Sequence, residues 1–264
     1  MAQPEPVESF EARAVARSFG ENAAAYDKAR PGYPPRMIQA VVAQAPGPAV
    51  LDVGIGTGIA AVQLRAAGAR VSGVEVDARM AELARAKGFP VDVARFEDWD
   101  PAGRRFDAVT AAQTWHWIDP AGGAAAAARA LVPGGLLALW WNVYQPPAPL
   151  AARFAAVYKS IDTGLPFTPY DGDPLAGYDH IAALVTGGLA AAGRFGSMVR
   201  ADTSWTIPYT TAEWLAFVPT TGGHSRMAPA AQAAVLDGLG RVVDDAGGSF
   251  TLDVTTVLLT ARRV

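Results

Sequence analysis

The sequence predicts an α/β fold: a doubly wound, mostly parallel sheet of seven strands with helices on both faces. Short apolar runs alternate with segments of helical period along the first half of the chain, which is typical of strands buried on both sides. A glycine-rich turn follows the first apolar run directly, where parallel sheets commonly bind ligands. The last two runs fit a hairpin-like edge of the same sheet.

Each strand is assigned from its apolar residues and each helix from its period and end signals. Asp77 is a good N-cap for one helix, and Gly88 ends it. The predicted strands are residues 49–53, 71–76, 91–94, 106–112, 136–141, 198–207 and 253–261. The predicted helices are residues 10–19, 35–44, 57–67, 78–87, 120–131, 150–161, 180–192, 211–217 and 229–246, and the segment 26–34 joins the first two.

A chain of 264 residues is long enough for one large α/β domain. The regular alternation of strands and helices ends after the fifth strand, where prolines and a turn-rich segment follow. This predicts a helical cap inserted after strand five. We expect a single domain over residues 1–264. Its parts are an N-terminal helical lid in 1–45, a cofactor-binding core in 46–142, a substrate cap in 143–192 and the C-terminal part of the core sheet in 193–264.

Charge and composition favour a small-molecule substrate. The net charge is −3 and the basic residues are scattered, so they form no stripe suited to the phosphates of a nucleic acid. No window approaches the ~18 consecutive apolar residues of a membrane span, and the acidic start does not look like a signal peptide. We therefore expect a cytoplasmic monomer or homodimer with no nucleic-acid or membrane partner. The lack of cysteine excludes disulfides, thiolate metal sites and cysteine nucleophiles.

The strongest ligand signal is the turn after the first strand, which carries Gly54, Gly56 and Gly58. Glu75 follows at the end of the second strand, and this arrangement is typical of sites for adenosine-containing cofactors. Dinucleotide sites use G-x-G-x-x-G, but the third glycine of that pattern is replaced here by Ile59, which disfavours an NAD-dependent oxidoreductase. A tight turn that holds no ligand is the other interpretation.

The residue types around this turn suit the parts of such a cofactor. The helix that starts near Thr57 directs its N-terminal amides toward a bound carboxylate. We expect the two oxygens of Glu75 to accept both ribose hydroxyls. Met80 is expected to flank the adenine, or else to pack beneath its own helix. The predicted cofactor set also contains Asp52 and Val76.

A second motif lies at the fourth strand. Phe106 and Asp107 open it, and Gln113, His116, Trp117 and Asp119 end it as Gln-x-x-His-Trp-x-Asp. With the glycine turn, this motif resembles the class I S-adenosylmethionine-dependent methyltransferases, and among them the trans-aconitate methyltransferase-like and small-molecule branch. The resemblance covers residues 19–142, with further matches at Tyr26, Arg30, Pro31, Tyr33, Pro34, Pro133, Gly134 and Gly135. It implies a Rossmann-like fold and S-adenosyl-L-methionine as the cofactor.

The resemblance implies roles for several of these residues. Gln113 would hold the amino group of the cofactor. His116 is the candidate catalytic base, because the ordinary pKa of histidine lies near ~6.5; the alternative is a structural histidine packed between tryptophans. Tyr26 and Arg30 would bind the cofactor from a lid, unless they belong to a plain rigid turn.

Two further sets complete the predicted site. Phe96 and Glu97, after the third strand, would bracket the adenine, with a solvated acidic loop as the open alternative. The residues expected to bind substrate are Tyr33, Trp115, Trp117, Asn142, Tyr144 and His224. No pattern of His, Asp and Glu marks a Mg²⁺ site, so no metal is expected.

These expectations combine into one functional hypothesis. The chain would transfer a methyl group to an oxygen, nitrogen or carbon atom of a small molecule by metal-free in-line displacement, releasing S-adenosylhomocysteine. An enzyme that binds the same cofactor but catalyses another reaction, such as a cyclisation, stays open because its donor site would look the same. A non-catalytic binding subunit is the third hypothesis, although it would have no need of the glycine turn or of Glu75.

Overall fold

The computed structural model describes residues 19–264. The strands are β1 (Ala49–Val53), β2 (Arg70–Glu75), β3 (Val91–Val93), β4 (Phe106–Ala112), β5 (Leu131–Gln145), β6 (Val199–Thr210) and β7 (Ser249–Arg262). They form one sheet in the order β3-β2-β1-β4-β5-β7-β6. Strands β1 to β5 are parallel, whereas β7 runs antiparallel to both β5 and β6. The predicted seven-stranded, mostly parallel sheet is therefore confirmed.

Helices connect these strands. The α-helices in the described part of the chain are α1 (Ala23–Ala29), α2 (Pro35–Gln44), α3 (Ile59–Ala66), α4 (Ala78–Ala86), α5 (Pro120–Ala130), α6 (Ala148–Lys159), α7 (Ala176–Ala192), α8 (Thr211–Phe217) and α9 (Pro229–Asp245). Short 3-10 helices lie at Phe19–Asn22, Trp115–Trp117, Val218–Thr220 and His224–Arg226. The helix predicted over residues 10–19 lies outside the described residues except for its last position. None of the helices in residues 19–264 has the length and apolar character needed to cross a bilayer.

The segment 26–34 was predicted as a connection, but its first residues belong to helix α1. Asn22 caps this helix, because its side chain accepts a hydrogen bond from the N–H of Ala25. The alanines that follow the cap have the highest helix propensity of all residues. The sequence pattern missed α1 because a helix of seven residues is too short to show an amphipathic period.

Helices cover both faces of the sheet, as predicted. On one face α2, α3 and α4 contribute Ile38, Leu64 and Ala81 to a buried cluster. On the other face α5 and α7 contribute Ala127 and Leu189 to a second cluster. Because both faces are covered, a ligand has access to the sheet mainly at the carboxyl ends of its parallel strands.

Strand β5 begins earlier than predicted. Leu131 pairs with Phe106, whereas Leu136 pairs with Ala108, so the register shifts between these two pairs. The residues between Leu131 and Leu136 leave the regular ladder, and Gly134 among them has a φ of +73°, which favours glycine. The Pro-Gly-Gly sequence therefore follows the end of a helix and also forms an irregularity inside the next strand.

Helices α6, α8 and α9 form a helical layer with its own aromatic core against the outer ends of β6 and β7. At its centre the Trp214 ring stacks on Phe154 at 5.5 Å and meets Phe250 edge-on at 5.1 Å. The two helices predicted as a cap do not pack together in one layer: α6 packs against α9, whereas α7 packs against α5. The assignment of substrate binding to residues 143–192 stays a prediction.

Replacing Trp214 by alanine should lower the free energy of unfolding by about 3–5 kcal/mol, because it leaves a cavity among packed aromatic rings. Urea unfolding followed by circular dichroism measures this change. Val199→Ala is the control: that side chain lies on strand β6 and is 60% exposed, so stability should change by less than ~0.5 kcal/mol. Equal effects of the two substitutions would contradict the packing of the helical layer.

Candidate active site

A cavity opens at the carboxyl ends of the parallel strands, beside the turn that follows β1. Its volume is about 350 Å³. Most of the residues singled out in the sequence line it. They are Tyr26, Arg30, Tyr33, Asp52, Gly54, Gly56, Thr57, Glu75, Val76, Met80, Phe96, Glu97, Gln113, His116, Trp117 and Tyr144. The fold thus brings the N-terminal segment and the ends of β1, β2 and β4 to one place.

The turn after β1 needs glycine for two different reasons. Gly54, Gly56 and Gly58 have φ values of +61°, +57° and +89°, which residues with a side chain rarely adopt. A Cβ at Gly54 would also overlap the side chain of Thr114. Gly58, by contrast, does not line the cavity: it is the N-cap of α3, and a Cβ there would meet the Phe89 ring at 3.4 Å. Gly54 and Gly56 form the cavity wall, whereas Gly58 shapes the start of the helix.

Glu75 joins the end of β2 to this turn. Its Oε2 accepts a hydrogen bond from the N–H of Gly56 at 2.9 Å, and its Oε1 accepts from the N–H groups of Val76 and Asp77 at 2.8 and 2.9 Å. Burial raises the pKa of Glu75, and the three backbone bonds offset this only in part. A carboxylate has about four acceptor positions, so only one remains, on Oε2. This position suits one ribose hydroxyl, and a bond from Glu75 to the second hydroxyl stays a prediction.

Asp52 is a buried carboxylate at the end of β1. The hydroxyl of Thr110 donates a hydrogen bond to its Oδ1 at 2.7 Å. Burial raises the pKa of Asp52 to about 7; the Thr110 bond acts to lower it and the charge of Glu75 to raise it. Asp52 therefore holds its proton over much of the range in which an exposed aspartate is ionised.

Three buried polar atoms around the cavity have no hydrogen-bond partner among the described residues. They are Arg30 Nε, Thr57 Oγ1 and Gln113 Oε1. Gln113 is held in place because its Nε2 donates to the carbonyl of Asn142 at 3.2 Å, and its backbone has a φ of +55°, which is rare for a residue other than glycine. Buried polar groups in proteins are nearly always paired. These atoms therefore indicate that a polar ligand completes the site.

Arg30 is a half-buried cation that contacts neutral groups. Its Nη2 donates to the carbonyl of Thr220 at 2.6 Å, and its Nη1 donates to the hydroxyl of Tyr144 at 3.4 Å. Its guanidinium carbon lies 5.0 Å from the centre of the Tyr26 ring and 5.5 Å from that of Phe217. Burial acts to lower the pKa of Arg30, but Tyr26 and Tyr144 raise it above its ordinary value. Arg30 therefore stays charged inside the cavity wall.

The residues predicted to bracket an adenine form part of a packed wall. Phe96 is buried, with its ring centre 5.9 Å from that of Trp115. Glu97 accepts a hydrogen bond from the N–H of Asp119 at 3.2 Å and pairs with Arg95 at 3.4 Å. Glu97 therefore has fixed partners, unlike an acid in a solvated loop.

His116 lies in the 3-10 helix after β4 and lines the cavity. Its Nδ1 accepts a hydrogen bond from the indole N–H of Trp141 at 3.0 Å, and its ring centre lies 4.6 Å from that of Trp117. Burial, and then the charge of Arg30, lower the pKa of His116 to about 4. The predicted role as a base therefore meets two obstacles, a weakly basic ring and an occupied ring nitrogen.

Three residues predicted to bind substrate do not line the cavity. Trp115 is buried in the core cluster beneath it. The side chain of Asn142 accepts a hydrogen bond from Thr256 at 2.7 Å, inside the sheet. His224 is buried in the helical layer, where its Nε2 lies 2.6 Å from the Tyr158 hydroxyl. The sequence placed these residues near the right motifs but did not show in which direction their side chains point.

Other residues line the cavity without having been predicted. They are Tyr178 on α7, Thr114 after β4, and Thr221 and Gly222 in the loop after α8. Tyr178 lies in the segment predicted as a substrate cap, whereas Thr114, Thr221 and Gly222 were not among the predicted site residues. Within residues 19–264, no group of three or more His, Asp and Glu side chains is arranged to hold a metal ion.

Comparisons with known proteins agree with this geometry. Residues 51–139 match the sequence family described as a methyltransferase domain. Two curated relatives, both named uncharacterized methyltransferases, come from Mycobacterium tuberculosis strain H37Rv and Mycobacterium bovis; each is 39% identical over 133 residues, which is 49% of this chain and 54% of the relative. The chain thus spans about half the length of the curated relatives it matches. A methyltransferase structure from Anaeromyxobacter dehalogenans has a TM-score of 0.62 at 21% identity over 89% of this chain and 97% of that chain, and it shows the fold.

Replacing Glu75 by alanine should weaken the binding of S-adenosylhomocysteine by roughly ten- to a hundredfold, because a charge-assisted hydrogen bond is lost. The melting temperature should fall as well, since the turn loses its link to β2. Isothermal titration calorimetry measures the affinity. Glu82→Ala is the control, because Glu82 lies on α4 with a side chain 69% exposed. Unchanged affinity in a folded Glu75→Ala protein would remove Glu75 from the binding site.

Asp52→Asn should make stability less dependent on pH. The folded protein keeps the Asp52 proton up to a pKa of about 7, whereas the unfolded chain releases it near ~3.9. Because the folded state binds more protons between these values, wild-type stability falls as pH rises through this window. Asparagine still accepts the hydrogen bond from Thr110 but never becomes charged. Between acid pH and pH above ~7, the difference in free energy of unfolding between variant and wild type should therefore shift by up to ~4 kcal/mol in favour of the variant. Parallel stability profiles in urea would contradict this.

Proposed function

We propose that this chain, whose residues 51–139 match the methyltransferase-domain family, transfers a methyl group from S-adenosyl-L-methionine to an oxygen, nitrogen or carbon atom of a small molecule. The proposal extends from the domain to the whole chain.

The unpartnered polar atoms of the cavity carry this proposal, because they suit the polar groups of the cofactor. Gln113 Oε1 is an acceptor and suits the ammonium group, whereas Arg30 Nε is a donor and suits the carboxylate. The remaining acceptor position of Glu75 suits a ribose hydroxyl. Thr57 Oγ1, at the start of α3, can donate or accept. Tyr26, Gly54, Gly56, Val76, Met80 and Phe96 supply the walls around these groups.

The chemistry of the proposed reaction needs little from the protein beyond alignment. When bound, the cofactor supplies a methyl group on a positively charged sulfur, so the electron pair of the acceptor forms the new bond to carbon while the carbon–sulfur pair leaves with S-adenosylhomocysteine. Tyr33, Tyr144 and Tyr178 line the same cavity and would hold the acceptor and exclude water. We propose this displacement as metal-free.

The acceptor is proposed to be small, because the cavity is closed on several sides by the N-terminal segment, α7 and the loop after α8. The aromatic rings of Tyr33, Trp117, Tyr144 and Tyr178 line the cavity, which suits an apolar or aromatic body. A cytoplasmic monomer or homodimer that binds neither nucleic acid nor membrane remains the prediction of the sequence.

Isothermal titration calorimetry with S-adenosylhomocysteine, with NAD titrated in parallel, tests the cofactor. We expect a Kd on the order of micromolar for the first, about −8 kcal/mol, and no heat from the second. Acceptors are then screened with S-adenosylmethionine labelled in its methyl group. Binding of NAD alone would overturn the proposal. Cofactor binding with a product that lacks the label would favour the non-methylating reaction, and binding with no turnover over a broad acceptor library would favour the binding subunit.

A further inference from the structure

His116 and Trp141 meet between the turn after β4 and strand β5. Trp141 is buried, and its indole N–H can only donate a hydrogen bond. This group donates to Nδ1 of His116 with 3.0 Å between the two nitrogens. An Nδ1 that accepts a hydrogen bond carries no proton. In the neutral imidazole the proton must therefore be on Nε2.

The surrounding structure holds both partners in place. Trp141 lies inside the ladder between β5 and β7, and its ring centre packs 6.4 Å from that of Tyr178. The turn that carries His116 is closed by a hydrogen bond from the N–H of Trp117 to the carbonyl of Thr114 at 2.8 Å. Rotation of either ring would leave the buried indole N–H without its partner, which is unfavourable.

The imidazole also stays neutral. Burial disfavours its charged form, and Arg30, which acts on the ring from the N-terminal segment, adds a like charge; together they lower the pKa of His116 to about 4. Near neutral pH this excludes the doubly protonated ring. One form is left, the neutral ring with its proton on Nε2.

We propose that Trp141 is a positioning residue that fixes His116 with its proton on Nε2, so that His116 donates a hydrogen bond to the methyl acceptor instead of removing a proton from it. The tautomer follows from the geometry of this pair alone. The role toward an acceptor rests on the proposed methyl transfer.

Among the described residues that line the cavity, the other acidic groups already have hydrogen-bond partners. Glu97 accepts the N–H of Asp119 and pairs with Arg95. Asp52 accepts the hydroxyl of Thr110, and Glu75 accepts three backbone N–H groups around the glycine turn. Burial raises the pKa values of Tyr26 and Tyr33, which therefore keep their protons. The site therefore suits an acceptor whose electron pair is available without a general base.

Among such acceptors, one whose reacting atom is an anionic oxygen fits best, because the site offers both a hydrogen-bond donor and a positive charge. Such an oxyanion accepts the hydrogen bond from Nε2 of His116, and the charge of Arg30 stabilises it within the same cavity. Its electron pair bonds to the methyl carbon, the carbon–sulfur bond breaks toward sulfur, and no proton has to leave. The products are a neutral methyl ether, enol ether or ester and S-adenosylhomocysteine.

Nitrogen-15 NMR of the full-length protein tests the tautomer. The chain has only three histidines, so histidine-labelled protein gives three ring systems, and the loss of one in His116→Gln assigns His116. We expect a pyrrole-type shift at Nε2 and a pyridine-type shift at Nδ1 near neutral pH. In Trp141→Phe, which removes the N–H and keeps an aromatic ring, the two shifts should move toward each other.

Trp140→Phe is the matched control. Trp140 precedes Trp141 on β5 and packs in the cluster on the opposite face of the sheet, and its indole N–H has no partner among the described residues. This variant should leave the His116 spectrum unchanged. A proton on Nδ1 in the wild-type protein, or a Trp141→Phe spectrum equal to that of wild type, overturns the proposal. If Trp141→Phe does not fold, the scalar coupling between the Trp141 and His116 nitrogens across the hydrogen bond is measured in wild-type protein instead. The absence of this coupling also overturns the proposal.

Turnover with the acceptor found by methyl labelling tests the donor role. His116→Ala should lower kcat/KM by about tenfold or more. His116→Gln should recover most of this loss, because its amide places an N–H near the position of Nε2. A base would instead make both variants lose activity equally. The NMR measurement needs neither cofactor nor acceptor, so a wrong tautomer and a failure to bind S-adenosylhomocysteine are separate results.

Discussion

The side chain and carbonyl of Asn142 hold together the elements that surround the cavity. Its Oδ1 accepts a hydrogen bond from Thr256 on β7, its Nδ2 donates to the carbonyl of Gly32 in the N-terminal segment, and its own carbonyl accepts from Gln113 after β4. Three parts of the chain that are distant in sequence are therefore fixed to one buried amide. Because a buried amide that loses a partner costs about 1–3 kcal/mol, the positions of the cavity walls depend on this residue although it does not line the cavity. The sequence assigned Asn142 to the substrate, whereas in the structure its hydrogen-bond partners are Thr256, Gly32 and Gln113.

Features of the fold that depend on a few neighbouring residues could be predicted from the sequence, whereas features that depend on the tertiary fold could not. The order of strands and helices, the glycine turn and Glu75 were all predictable, because backbone periods and glycine requirements are expressed over a few residues. The short helix α1 and the irregular start of β5 were missed, since the first lacks a period and the second depends on the register against β4. Side-chain direction was the main source of error in the site. Trp115 and His224 look like pocket residues in sequence, but each side chain points into a packed core, and only the tertiary fold decides this.

The charges of the cavity form a consistent pattern. Asp52 and Glu75 are carboxylates whose pKa values burial raises, so the protein holds them at a cost when the cavity contains only water. A cofactor that carries a sulfonium and an ammonium group would supply the missing positive charge and lower both pKa values again. Binding would then release protons from these two carboxyl groups, and by linkage the affinity for the cofactor would depend on pH for the same reason. His116 is neutral in the same cavity, and the charge of Arg30 favours an anionic group there.

The hydrogen bond from Arg30 to Thr220 also has a consequence for the order in which the protein is built. The link between Glu75 and Gly56 spans 19 positions of the sequence, whereas the link between Arg30 and Thr220 spans 190. As the ribosome makes the chain from its N-terminus, the glycine turn and its acid can meet while most of the chain is still unmade. The wall that contains Arg30 has to wait until Thr220 has emerged. The nascent chain therefore contains both Gly56 and Glu75 well before it contains Thr220, the partner of Arg30.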